Sequence, residues 1–179
     1  METPSHYACR VRLDGDAVFV VWSSAERDGF LRDPGGRLVV AHTPTALAGA
    51  AHALGAMLED AGPAEYDFDR ILAWCAAPTA GGVDCPAFLN AWNFLDDLAG
   101  LHAGADTPHT RLSRAAAVCY DRLFRGNNLP AVTPPGERFE PSWGENDLAA
   151  IRGVMLAGLE LLAAELRGAG GPARDGKHN

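Results

Sequence analysis

The sequence predicts an α+β fold, a small N-terminal antiparallel sheet of about four strands packed against about five helices. Up to residue 42, short apolar runs alternate with turns rich in Gly, Asp and Pro. From Thr43 onward the apolar residues recur with a period of 3.6 instead of two. A chain of 179 residues, 47% hydrophobic and 21% charged, is also long enough to bury a core without disulfides or metals. Residues 1–167 are therefore read as one domain, with strands over about 8–42 and helices over about 44–167. The Gly-, Pro- and charge-rich stretch 168–179 is read as a disordered tail.

Each element has a local reason. Cys9 to Leu13 alternates, Asp14-Gly15 is a hairpin signal, and Ala17 to Trp22 is a β-branched and aromatic run. A second pair, Gly29 to Arg32 and Arg37 to His42, flanks the turn Asp33-Pro34-Gly35-Gly36. Thr43-Pro44 is an N-cap with proline at the first helical position, and Leu47, Ala50, Ala51, Leu54 and Leu58 form the stripe of a helix ended by Gly62-Pro63. A short helix is expected over 67–76 and a broadly apolar one over 84–102, whose polar positions are Asn90, Asn93, Asp96 and Asp97. Thr107-Pro108 opens a helix running to Gly126. The Pro- and Asn-rich stretch 126–141 reads as an extended connection. Ser142-Trp143-Gly144-Glu145 matches a capping box for the last helix, whose seam is Leu148, Ile151, Met155, Leu159, Leu162 and Leu166.

The charge balance excludes some functions. A net charge of -8 argues against a nucleic-acid binder, which needs clustered cations to neutralise phosphates. The N-terminus lacks a secretory signal pattern, and the most apolar stretch, 154–164, is far too short to span a bilayer, so a cytoplasmic protein without membrane association is expected. Cys9, Cys75, Cys85 and Cys119 are scattered and read as free thiols. Dinucleotide, phosphate-loop, nucleophile-elbow and zinc-helix motifs are missing, and no cofactor or metal is expected.

Individual candidates are weak taken singly. Cys85, at a helix N-terminus, has the setting of an activated thiol, but Asp84 beside it opposes ionisation and no histidine lies near. His102, Asp106 and His109 are close in sequence, yet the helix start between them breaks any common face, and a surface turn is the expected setting.

Between Glu59 and Asp106 there are nine acids and one base, Arg70, so this stretch carries the whole net charge. A concentrated field of one sign favours an oppositely charged partner. The leading expectation is therefore a small acidic protein that binds a basic protein partner, of the kind bacterial immunity and antitoxin proteins represent, with Glu65, Asp67, Asp69, Asp96 and Asp97 as contacts. The alternative is a ligand-binding protein or small-molecule enzyme with a polar cleft. Asn90, Asn93 and Asp97 would line it with Arg114 and Arg122, and Asn127 and Asn128 would add donors.

Overall fold

Asp14 and Gly15 take φ values of 56° and 79°, the two left-handed residues that a hairpin turn matched to strand twist requires. They join β1 (Ser5–Leu13) to β2 (Asp16–Ser24) with Leu13 opposite Asp16. The computed structural model describes residues 4–102 and 106–169. In it a five-stranded sheet of mainly antiparallel strands packs against six helices.

The register sets the two faces of the sheet. Cys9 faces Val20 and Val11 faces Val18 across the hairpin, and Cys9, Val11, Leu13 and Val20 belong to the main core. Phe19 and Val21 point the other way, against Leu47 and Ala51 of α1 (Pro44–Ala53). Both faces of β2 are thus covered, which is why its sequence is a continuous apolar run rather than an alternating one.

The edge beside β2 is one strand interrupted. In β3 (Gly29–Phe30), Phe30 faces Trp22; in β4 (Val40–Ala41), Val40 faces Val20. Two steps along β2 therefore correspond to ten along the edge, and the intervening chain leaves the sheet as a small hairpin closed by Arg32–Leu38 pairing, with Gly36 at φ 77°.

The opposite edge departs from the expected all-antiparallel sheet of about four strands. The first helix stops at Ala53 rather than near Gly62, because Gly55 takes φ 78° and turns the chain back. Leu54 is consequently exposed, and the returning segment pairs as β5 (Ala64–Asp67) in parallel with β1, with Val11 opposite Tyr66. The sheet is mixed rather than wholly antiparallel.

The helical layer begins with α2 (Phe68–Ala76), capped by Asp67, and α3 (Cys85–Gly100), capped by Asp84. Phe88, Ala91, Trp92, Leu95, Leu98 and Ala99 of α3 are buried, as its apolar spacing predicts. The single helix expected from Thr107 to Gly126 is two, α4 (Pro108–Ala115) and α5 (Ala117–Gly126), broken at Ala116. The break lets α4 pack on α6 (Glu145–Ala169) while α5 packs on α3.

Helix α6 begins two residues later than the Ser142–Glu145 capping box places it. The chain enters it at Gly144, whose N–H donates to Asp147 Oδ2 at 3.0 Å, so Asp147 rather than Glu145 supplies the capping carboxylate. Its face of Ile151, Met155, Leu159 and Leu162 is buried in the core. Residues 168 and 169, read as the start of the tail, complete this helix; 170–179 lie outside the described residues. No helix among the described residues is long and apolar enough to cross a membrane.

Candidate ligand-binding site

A cavity of about 330 Å³ opens where the β1–β2 hairpin and β5 meet α3. Strand register supplies three of its walls. Tyr7 sits directly opposite Trp22, their rings 5.7 Å apart, and β5 brings Tyr66 against Phe94 at 4.6 Å. Helix α3 supplies the fourth. Asn90, Asn93, Phe94 and Asp97 fall at steps of three, four and seven, hence on one helical face.

The polar groups converge with defined partners. Trp22 donates its indole N–H to Asp97 Oδ2 at 2.9 Å, and Tyr120 donates its hydroxyl to Asn93 Oδ1 at 2.9 Å. Burial pushes the Asp97 carboxyl above the usual carboxylate range; Trp22 opposes the shift, and the negative charges of Asp28 and Asp96 add to it. Burial likewise raises the Tyr66 phenol to about 12 and the Cys9 thiol to about 11. The Tyr120 hydroxyl is raised too, by burial and then by Asp96, Asp121 and Asp97.

The acids of the charged stretch divide into answered and unanswered ones. Glu65 pairs with Arg10 at 3.2 Å, Asp69 with Arg12 at 3.5 Å, Asp84 with Arg70 at 3.0 Å, and Asp106 with Arg111 and Arg114. Asp67 caps α2 by accepting from Arg70 N–H. Among the described residues, Glu59, Asp60, Asp67 and Asp97 of this stretch take part in no ion pair, and neither do Asp28 and Asp121 outside it.

Of the residues read as a polar cleft, Asn90, Asn93 and Asp97 share this cavity. The others sit elsewhere. Arg114 holds Asp106, and Arg122 holds Asp147 at 2.7 Å. Asn127 donates to Leu123 O, and Asn128, at φ 50°, clamps Phe139 through its backbone N–H and carbonyl. Arg122, Asn127 and Asn128 fasten α5 and the following loop, and Arg114 ties α4 to Asp106 just before it.

Asp96 turns away from the cavity into a network that no short motif announces. Its Oδ1 meets His109 Nε2 at 2.8 Å, while His109 Nδ1 lies 3.1 Å from the Val154 carbonyl. A carbonyl only accepts, so Nδ1 donates to Val154 O. Ser113 donates to Asp96 Oδ2 at 3.4 Å and accepts from Trp92 Nε1 at 2.8 Å. His109 is thus 1% exposed, a bridge between α3, α4 and α6 rather than a surface turn residue.

The remaining candidates resolve into packing. His102 meets Glu165 at 2.9 Å, so the three clustered candidates His102, Asp106 and His109 have three different partners. Cys85 is buried against Gly126, where a Cβ would come within 2.5 Å of its sulfur, and burial followed by Asp84 raises its thiol. All four cysteines are free and buried. Trp22, Tyr7 and Tyr66 are the site residues that sequence reasoning missed; a Trp closing the apolar run of β2, with a side chain that carries a hydrogen-bond donor, was the available signal. Comparison of the chain with protein-family models, curated proteins and solved structures gives no match.

Proposed function

We propose that this chain is a ligand-binding protein whose site is the cavity between the β1–β2–β5 edge and α3. The observation that carries the reading is Asp97, a partly buried carboxylate held by Trp22 within an aromatic-walled cavity that also offers Asn90 and Asn93. A concave, largely apolar space with a few convergent polar groups and a perturbed carboxyl is the usual form of a small-molecule site, and about 330 Å³ lies at the lower end of the ligand-pocket range. Binding is favoured over turnover because Asp97 is the one carboxylate among the residues lining the cavity, and two of its other ionisable groups, the Cys9 thiol and the Tyr66 phenol, are moved still further from neutrality by burial. That leaves one carboxylate without an acid or base partner beside it.

The test is a fragment screen followed by ¹H–¹⁵N spectra. Binders are expected to shift the Trp22 indole N–H together with the Asn90 and Asn93 side-chain amides, leaving the Trp74 indole, bonded to Thr79 O on α2's far side, unmoved. Binders that consistently perturb other sites and never Trp22 overturn the reading.

A basic protein partner is the second reading, favoured by one observation: Asp28, Asp97 and Asp121 act on the same neighbourhood without a cation. Under it, an oligolysine peptide binds with an affinity that falls steeply with salt. Neutralising Asp28 and Asp121 together then removes most of that dependence, and absence of salt-sensitive binding contradicts it.

A further inference from the structure

We infer that the ligand of this cavity is a small organic ammonium compound whose N–H donates to Asp97 Oδ1 while its carbon skeleton lies against Tyr7, Trp22 and Tyr66. The inference rests on the cavity being a ligand site and adds the chemical class of its occupant. Three features of the cavity select that class.

The first is the state of the carboxylate. Trp22 donates to Oδ2 of Asp97, which lines the cavity, and among the described residues no side-chain hydrogen bond engages Oδ1. A guanidinium seeks two parallel acceptors on one carboxylate; an ammonium is a point donor that needs one. The second is the wall. Tyr7, Trp22 and Tyr66 supply three aromatic rings, and an ammonium group gains from ring faces within about 6 Å as well as from a carboxylate. The third is the surrounding field. Asp28, Asp96 and Asp121 lie close enough to act on Asp97 or Tyr120, and the arginine expected to face this cleft is committed elsewhere, Arg122 to Asp147 and Arg114 to Asp106. An anion entering here meets like charge; a cation does not. Asn90, at the exposed rim, offers a carbonyl for a second ammonium N–H.

The experiment compares four probes on one skeleton: benzylammonium, benzyltrimethylammonium, benzyl alcohol and benzoate. Each is titrated into the intact protein while the Trp22 indole N–H, identified by its loss in Trp22→Phe, is followed by NMR. Benzylammonium is expected to bind at least about 10-fold more tightly than the other three, and Asp97→Asn to weaken it by about 10-fold or more, the cost of one charge-assisted hydrogen bond. Asp97→Asn keeps an oxygen for the Trp22 indole, and an unchanged indole signal confirms the cavity is intact. Should that signal move, Asn90→Ala replaces it as the reporter, with a smaller loss of benzylammonium affinity expected and no loss contradicting the rim contact.

The outcomes separate the two levels of the proposal. Benzyl alcohol or benzoate binding as tightly as benzylammonium overturns the ammonium assignment and leaves the cavity as a ligand site. Benzyltrimethylammonium binding equally well overturns the N–H contact to Asp97. No probe of any charge moving Trp22 overturns the inference and counts against the ligand site itself.

Discussion

The indole N–H of Trp22 donates to the carboxylate of Asp97 at 2.9 Å across a sequence separation of 75 residues. This contact ties the end of β2 to the last turns of α3 and restrains the Asp97 carboxylate at the cavity. Most of the site's chemistry depends on it. Trp22→Phe replaces the indole with a smaller ring that lacks the donor, and is expected to cost about 1–3 kcal/mol, from the unpaired, partly buried acceptor together with lost packing. Urea unfolding measures this; an unchanged midpoint means the bond does not hold the carboxylate.

Asp97 gives a pH dependence of defined sign. Its folded-state value is raised, mainly by burial, so the stability linked to it is fully present below the ordinary carboxylate value of about 3.9 and is lost as pH rises through the higher folded value. Asp97→Asn removes that loss. The variant should therefore gain on wild type in urea midpoint as pH rises from about 3 to 7, and parallel curves contradict the burial.

Asp147 has the opposite sign. The Gly144 N–H comes first, and with Arg122 it holds the Asp147 carboxyl below the usual range, so its contribution is present above the unfolded value and fades as pH falls through the folded one. Asp147→Ala is expected to cost about 1 kcal/mol at pH 7, a typical capping loss. The difference from wild type should shrink steadily on acidification.

Two glycines on α6 make a paired test of helix packing. A Cβ at Gly158 would meet Leu95 Cδ1 at 2.6 Å and His109 Nδ1 at 2.8 Å, whereas at Gly153 the nearest such atom is Leu112 Cδ1 at 3.9 Å. Gly158→Ala should destabilise by about 1–3 kcal/mol through overpacking. Gly153→Ala should be neutral or stabilise by up to about 1 kcal/mol through helix propensity. Thermal unfolding of both variants decides it.

His109→Ala should be among the more damaging substitutions away from the cavity. It removes the bridge from Asp96 to the Val154 carbonyl and opens space beneath Gly158. A loss of about 2–4 kcal/mol is expected, from charged hydrogen bonds and the void together. A loss below about 1 kcal/mol would mean that this network does not hold α4 on α6.

Half of the site was legible because helix periodicity is local. Asn90, Asn93 and Asp97 share a face by the 3.6-residue period alone, and the structure places all three in one cavity. The walls were not legible, since Tyr66 reaches the site by pairing in parallel with β1, a contact that leaves no turn signal in the sequence. The hairpin at Asp14-Gly15 and the N-cap Thr43 were local and appear where expected, and the helices expected over 67–76 and 84–102 begin where Asp67 and Asp84 cap them. The break at Ala116 lies in an alanine run without Gly or Pro, and it follows from how α4 and α5 pack on different helices. Charge counting located the acids but not their partners. The β1–β5 register sets Arg10 opposite Glu65 and brings Arg12 near Asp69 at the start of α2, while Asp84 and Asp106 find Arg70 and Arg111 elsewhere in the helical layer, so four of the nine acids are paired with arginine.

The most direct measurement of the central claim is a crystal structure of the protein soaked with benzylammonium. The expected density lies between Trp22 and Tyr66, with the ammonium nitrogen about 3 Å from Asp97 Oδ1 and the Trp22–Asp97 bond retained. Density seated instead in the groove between Val18 and Leu166, or a cavity left without the compound at saturating concentration, would contradict it.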